Sequence, residues 1–184
     1  IKSSQTAMKL IEDQGGLVEI SKTGHSFIKT KLKKISAPLA GEMSGHIFFN
    51  DVWYGFDDAI YVALRCIQEI KLQNDGLNNF LNSIPKSFAT PEIRIECDDS
   101  EKFNIVEKIK KFASNEYDHS KLLFVDGIRT SLKNGWWLIR ASNTQAALIA
   151  RAEGPRKEDL DCHLEKMTKY LNQAGISIDL KNHK

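Results

Sequence analysis

Residues 41–46 read Gly41-Glu42-Met43-Ser44-Gly45-His46, which sets a carboxylate, a hydroxyl and an imidazole around two glycines. A carboxylate accepts from two hydroxyl groups and a serine can both give and accept, so the set suits vicinal sugar hydroxyls better than phosphate. Positive φ at Gly41 and Gly45 lets the backbone approach such a ligand closely. A tight turn with solvated side chains is the competing reading. A second set, Arg140-Ala141-Ser142-Asn143-Thr144, consists almost entirely of donors. A guanidinium pairs two-pronged with phosphate oxygens, and a turn with exposed backbone N–H groups makes an anion nest. Arg151 on the next strand adds a second cation. Here the competing reading is a hairpin turn rich in Ser, Asn and Thr for backbone reasons. Taken together, the two sets point to a phosphosugar held between two domains, one loop on each.

The elements that must position these loops follow from periodicity. Ser3 to Gln14 reads as a helix stopped by Gly15-Gly16, Leu17 to Ile20 as a strand, and His25 to Ser36 as a helix with the stripe Ile28, Leu32 and Ile35. Lys29, Lys31, Lys33 and Lys34 fall on its solvent side. Short strands flank the first loop. Asp57-Asp58 then start a helix carrying Ile60, Leu64, Ile67 and Ile70 at helical spacing, both aspartates serving its positive end. This is an α/β unit over residues 1–74, with a mixed sheet and flanking helices.

Residues 75–91, rich in Asn, Gly and Pro, read as a linker with one helical patch around Phe80 and Leu81. The second unit, 92–184, opens with the alternating strand Ile93 to Cys97 and a helix from Glu101 to Ala113. Four strands follow at 122–125, 128–132, 136–140 and 147–152, with Asp126-Gly127 and Asn134-Gly135 as turns. A last helix starts at Pro155, carries Leu160, Leu164, Met167 and Leu171 inward, and ends before Gly175. That order gives an α+β domain with an antiparallel sheet and two helices.

Composition limits the partners. The 26 basic and 24 acidic residues leave a net charge of +2, so no global field draws in nucleic acid. No apolar run reaches membrane-spanning length and no leader pattern opens the chain, which places it in the cytoplasm. Cys66, Cys97 and Cys162 are odd in number and widely spaced, as expected of buried free thiols rather than a disulfide framework or zinc site. No Gly-x-x-x-x-Gly-Lys-Ser/Thr or Gly-x-Gly-x-x-Gly motif occurs, so the sequence does not support a kinase or P-loop enzyme. The start at Ile1-Lys2, straight into a helix, is that of a piece of a longer chain.

Three motifs carry a family resemblance: residues 41–49, the run Trp53-Tyr54-Gly55-Phe56-Asp57-Asp58, and residues 140–144, preceded by Thr23-Gly24-His25. In order and separation they resemble the C-terminal half of the α-D-phosphohexomutases, the phosphomannomutase/phosphoglucomutase group. The resemblance implies most of that family's third domain and its fourth, TATA-binding-protein-like domain. It implies that Glu42 and Ser44 bind sugar hydroxyls in either substrate orientation and that His46, a catalytic residue, lies near the reacting groups. Gly24, His25 and Lys2 also contact substrate on that side. Arg140, Ser142, Asn143 and Thr144 clamp the phosphate that is not being transferred.

In such an enzyme a phosphoserine gives its phosphoryl group to a hexose 1- or 6-phosphate, and a glucose or mannose 1,6-bisphosphate turns around before the serine is rephosphorylated. No Ser-His-Asn and no Asp-Gly-Asp occurs in this chain. The phosphoserine and the Mg2+ ligands of the resemblance therefore belong to missing N-terminal domains of the same polypeptide. This piece keeps sugar and phosphate recognition and is inactive alone. Gln145-Ala146-Ala147 also stands where relatives often carry proline, which leaves the following strand less constrained. A standalone, non-catalytic module that senses sugar phosphates or pairs with another protein is the alternative, separable by the coding sequence upstream of Ile1.

Overall fold

A computed structural model describes residues 1–72 and 76–182. The chain divides into two compact units, Ile1–Pro85 and Lys86–Lys184. The boundary expected at residue 74 lies outside the described residues.

In the first unit, α1 (Gln5–Asp13) starts at Ser4, whose Oγ accepts from the Thr6 N–H at 3.1 Å. Helix α2 (His25–Lys34) starts at Gly24, where φ is +119°. Strands β1 (Leu39–Gly41) and β2 (Ile47–Phe49) form a two-stranded antiparallel hairpin. Helix α3 (Ala59–Leu72) and helix α4 (Gly76–Ser83) follow, α4 lying within the range read as linker. The core here is small: Ile28, Leu32 and Phe48, with Ala37 and Ala40 against them.

Most of the expectations that fail in this unit do so for one physical reason, the lack of a covering partner among the described residues. Residues 17–20 join no ladder, and Leu17 is fully exposed. A strand forms only where its N–H and C=O groups have partners. The Ile20 carbonyl instead accepts from Lys31 Nζ at 2.7 Å, and the same ammonium pairs with Glu19 at 2.8 Å. Lys31 is thus a tie and not part of a wetted face. Ile60, Leu64, Ile67 and Ile70 all stand exposed on α3, and Ile35 on α2 is exposed as well.

The second unit is a six-stranded antiparallel sheet backed by two helices. Strands β3 (Phe88–Ala89) and β4 (Ile93–Glu96) both pair with β8 (Ala147–Gly154) along the same edge, and the order continues through β7 (Trp136–Ala141) and β6 (Ile128–Thr130) to β5 (Leu122–Leu123). Helices α5 (Lys102–Ser114) and α6 (Lys157–Gln173) cover one face. Alternate residues of the strands, among them Ile95, Ile128, Trp137, Ile139, Leu148, Ala150 and Ala152, meet Ile105 and Ile109 of α5 and Leu160, Leu164, Met167 and Leu171 of α6. Helix α6 begins at Lys157 after Arg156, so Pro155 precedes the helix and does not open it.

Among the cysteines, all three thiols are free, but Cys66 and Cys162 are exposed, contrary to the expectation of burial. No helix among the described residues is long and apolar enough to cross a membrane.

Candidate functional site

The first loop is the turn of the β1–β2 hairpin. The Glu42 N–H donates to the His46 carbonyl at 2.9 Å and the Gly45 N–H to the Glu42 carbonyl at 3.0 Å, which folds residues 42–46 into a tight bend. Only Gly45 uses positive φ, at +90°; Gly41 stays extended within β1. Such a bend exposes Met43, Ser44 and His46 at its tip and leaves Glu42 half-buried. The Gly24 N–H donates to Glu42 Oε1 at 2.9 Å, so the start of α2 and the hairpin are joined through the carboxylate. The structure therefore brings together Gly24, Glu42, Ser44 and His46, with His25 exposed as the first residue of α2. Lys2 is half-buried near the chain start, where the Ile1 backbone nitrogen donates to the Ser21 carbonyl at 3.0 Å.

His46 has a partner that sequence reading assigned to another task. Its Nδ1 lies 2.6 Å from Asp57 Oδ2. Asp58 alone caps α3, accepting from the Tyr61 N–H at 3.0 Å through Oδ1, and its other oxygen takes the Trp53 indole N–H at 3.2 Å. The Trp53 ring stacks on Tyr61 with centroids 4.5 Å apart.

The second loop joins β7 to β8. The Ser142 N–H donates to the Ala147 carbonyl at 2.9 Å, and the Thr144 N–H to Ser142 Oγ at 3.4 Å. Asn143 and Thr144 are exposed and Ser142 is buried. The loop is held from outside by Lys102, a buried residue of α5 whose ammonium donates to the Gln145 carbonyl at 3.1 Å and pairs with Asp99 at 2.7 Å. Arg94 donates to the Gln145 side chain as well. These ties answer the missing proline, and β8 is fully paired from Ala147 onward.

Arg140 is 4% exposed, and its Nε donates to Asp126 Oδ2 at 2.9 Å. Its Nη2 is buried and has no hydrogen-bond partner among the described residues. Asp126 reaches it because Gly127, at φ +76°, lets the β6 turn lie directly on the backbone of Ile139 and Arg140. Arg151 shares a sheet face with Arg140 but stands two residues along, opposite Leu138. There it joins Arg129, Trp136 and Glu153, and the Arg129 guanidinium lies 3.8 Å from the Trp136 ring centre. Burial lowers the pKa of Arg129 to about 10 against the opposing pull of Glu153, and burial lowers that of Arg151 too.

Comparison with known proteins now decides the family. The description "Phosphoglucomutase/phosphomannomutase, alpha/beta/alpha domain III" matches residues 1–88, and "Phosphoglucomutase/phosphomannomutase, C-terminal domain" matches residues 92–168. The chain belongs to the phosphoglucomutase/phosphomannomutase family. It is 40% identical over 179 residues to a phosphomannomutase/phosphoglucomutase of Pseudomonas putida, covering 97% of this chain and 37% of that one. Over 154 residues it is 39% identical to a phosphoglucomutase of Neisseria meningitidis, 83% of this chain and 33% of the relative. A solved family protein from Burkholderia thailandensis superposes with a TM-score of 0.86 at 30% identity, over 97% of this chain and 38% of that one. The chain thus spans under two fifths of these relatives' length and carries the family's third and C-terminal domain folds.

Sequence reading missed Asp57 and Asp126 as partners of the two site residues His46 and Arg140. Each had been given a local role, as helix cap or turn former. Only the pairing of Phe48 with Asp57 and of β6 with β7 brings these carboxylates to their partners.

Proposed function

We propose that this chain is the recognition part of a phosphohexomutase that interconverts hexose 1-phosphates and 6-phosphates in the cytoplasm through a phosphoserine and a hexose 1,6-bisphosphate. Glu42 and Ser44 bind sugar hydroxyls, aided by Gly24, His25 and Lys2, and His46 stands at the hydroxyl that gives or receives the phosphoryl group. Arg140, Ser142, Asn143 and Thr144 hold the idle phosphate, with Arg151 adding positive potential at longer range. The phosphoserine and magnesium loops lie on the remaining domains of the polypeptide.

The observation that carries the reading is Arg140. A buried guanidinium with one edge on Asp126 and Nη2 without an acceptor is costly unless an anion completes it. The neighbouring loop supplies the further hydroxyl and N–H donors a phosphate takes up. A sugar with reversed ends keeps its middle hydroxyls near Glu42 and Ser44 while either phosphate can occupy the clamp, so the residues act by positioning and charge stabilisation.

Calorimetry with mannose 6-phosphate and glucose 6-phosphate tests this. The chain binds weakly, Arg140→Ala and Glu42→Ala abolish the heat, and no turnover occurs until the remaining domains are added. Indistinguishable titrations of wild type and both variants would reject the reading.

A further inference from the structure

The geometry points to Asp57 as the residue that fixes the tautomer of His46 and so makes Nε2 the atom that exchanges a proton with substrate. The inference rests on the role just proposed for His46.

Asp57 and His46 are brought together by backbone, not by chance approach of two mobile side chains. Asp57 forms an antiparallel bridge with Phe48, the fully buried centre of β2, and His46 immediately precedes that strand, two residues before Phe48. At that diagonal the Asp57 carboxylate meets Nδ1 at 2.6 Å. The adjacent Asp58 is committed to the α3 cap and to Trp53, so the two aspartates divide the work.

An ionised carboxylate can only accept, so Nδ1 must carry the proton of this bond. In the neutral ring Nε2 then holds the lone pair. It can take the proton of a sugar hydroxyl as that oxygen bonds to the phosphorus of the phosphoserine and the serine oxygen leaves; in the second transfer the serine oxygen bonds to the other phosphate, the P–O bond to the sugar breaks, and the imidazolium gives its proton to the departing sugar oxygen. The charge that appears on the ring is met by the carboxylate beside it, as in other base–orienter pairs. Asp57 touches no substrate in this scheme and is a positioning residue. The His46 side chain is half exposed.

The test has two arms. Long-range 1H–15N correlation spectra of the chain report the His46 tautomer directly: wild type carries the proton on Nδ1, and Asp57→Asn or Asp57→Ala moves the population toward Nε2–H. An unchanged tautomer in both variants overturns the proposal. In the full-length protein, Asp57→Asn lowers kcat for hexose-phosphate interconversion about 10- to 100-fold and leaves KM within about twofold, and adding it to His46→Ala costs nothing more. A tautomer change without loss of kcat, or full additivity with His46→Ala, overturns the positioning role. Failure of the functional reading is distinguishable, because it shows as a His46→Ala protein as active as wild type.

Discussion

Helices α3 and α6 carry apolar stripes of the same helical spacing, yet Leu160, Leu164, Met167 and Leu171 of α6 are at most 6% exposed, while Ile60, Leu64, Ile67 and Ile70 of α3 stand at 40 to 77%. Periodicity marks which face of a helix is to be covered and says nothing of whether a cover exists. In the second unit the cover is a six-stranded sheet. The first unit has only the β1–β2 hairpin among its described residues. The two recognition loops inherit this contrast. Arg140 rises from a strand paired on both sides and is gripped by Asp126, whereas the 42–46 bend is tied down by the Gly24–Glu42 and His46–Asp57 bonds.

The largest expected effect separates the two cores. Trp137 is fully buried at the centre of the second unit, with Tyr170 and Tyr117 rings 5.7 and 6.4 Å away. Trp137→Ala removes a side chain the sheet and helices cannot collapse around and destabilises that unit by about 3–5 kcal/mol. Leu64→Ser on α3 changes stability by no more than about 0.5 kcal/mol, because that side chain is already in water. Urea unfolding of both variants checks this, and comparable losses would break the comparison.

A smaller effect links packing to the phosphate loop. A Cβ on Gly127 would sit 2.4 Å from the Ile139 carbonyl oxygen and 2.6 Å from Arg140 Cα, at a φ of +76°. Gly127→Ala combines left-handed strain with overlap against backbone and costs about 2–4 kcal/mol. It also displaces Asp126 from Arg140, so any residual folded protein binds hexose phosphate more weakly than Ser131→Ala, a change at the other end of β6. Equal affinity in the two variants would show that the Asp126 contact does not hold the guanidinium.

The sequence showed most of the second unit's strands, turns and helix faces to within a few residues, because their stripes are covered within the same unit, but it left β3 inside the range read as linker. Ile105 and Ile109 of α5 and the alternation of Ile93 and Ile95 on β4 were all legible and all buried. The first unit was less legible. Residues 17–20 have the composition of a strand, but pairing is a property of neighbours and not of the segment. The two recognition loops stood out because unusual polar side chains cluster with glycine. Their orienting carboxylates did not, since Asp57-Asp58 looks like a helix cap and Asp126-Gly127 like a turn, and both descriptions are also true of the backbone. What escaped was long-range register, which gives Asp57 to His46 and Asp126 to Arg140.

The smallest effect is a pH dependence confined to the well-packed unit. His163 of α6 is 3% exposed and its Nε2–H donates to the Asn134 carbonyl at 3.0 Å. Burial lowers its pKa below the ordinary 6.5, although Asn134 and Asp159 pull the other way. The ring is therefore neutral in the folded chain, and below pH 6.5 the unfolded chain binds a proton that the folded one does not. Stability is fully present above that pH and declines as the pH falls toward the folded pKa, where the loss levels off. Replacing the ring by His163→Gln, which keeps a donor for the Asn134 carbonyl, lowers stability at neutral pH but removes this part of the acid decline. Between pH 7.5 and 5 the wild-type Tm then drops further than that of the variant. Parallel Tm profiles would mean that the ring takes up its proton as readily folded as unfolded, and that the packing around α6 is looser than its burial implies.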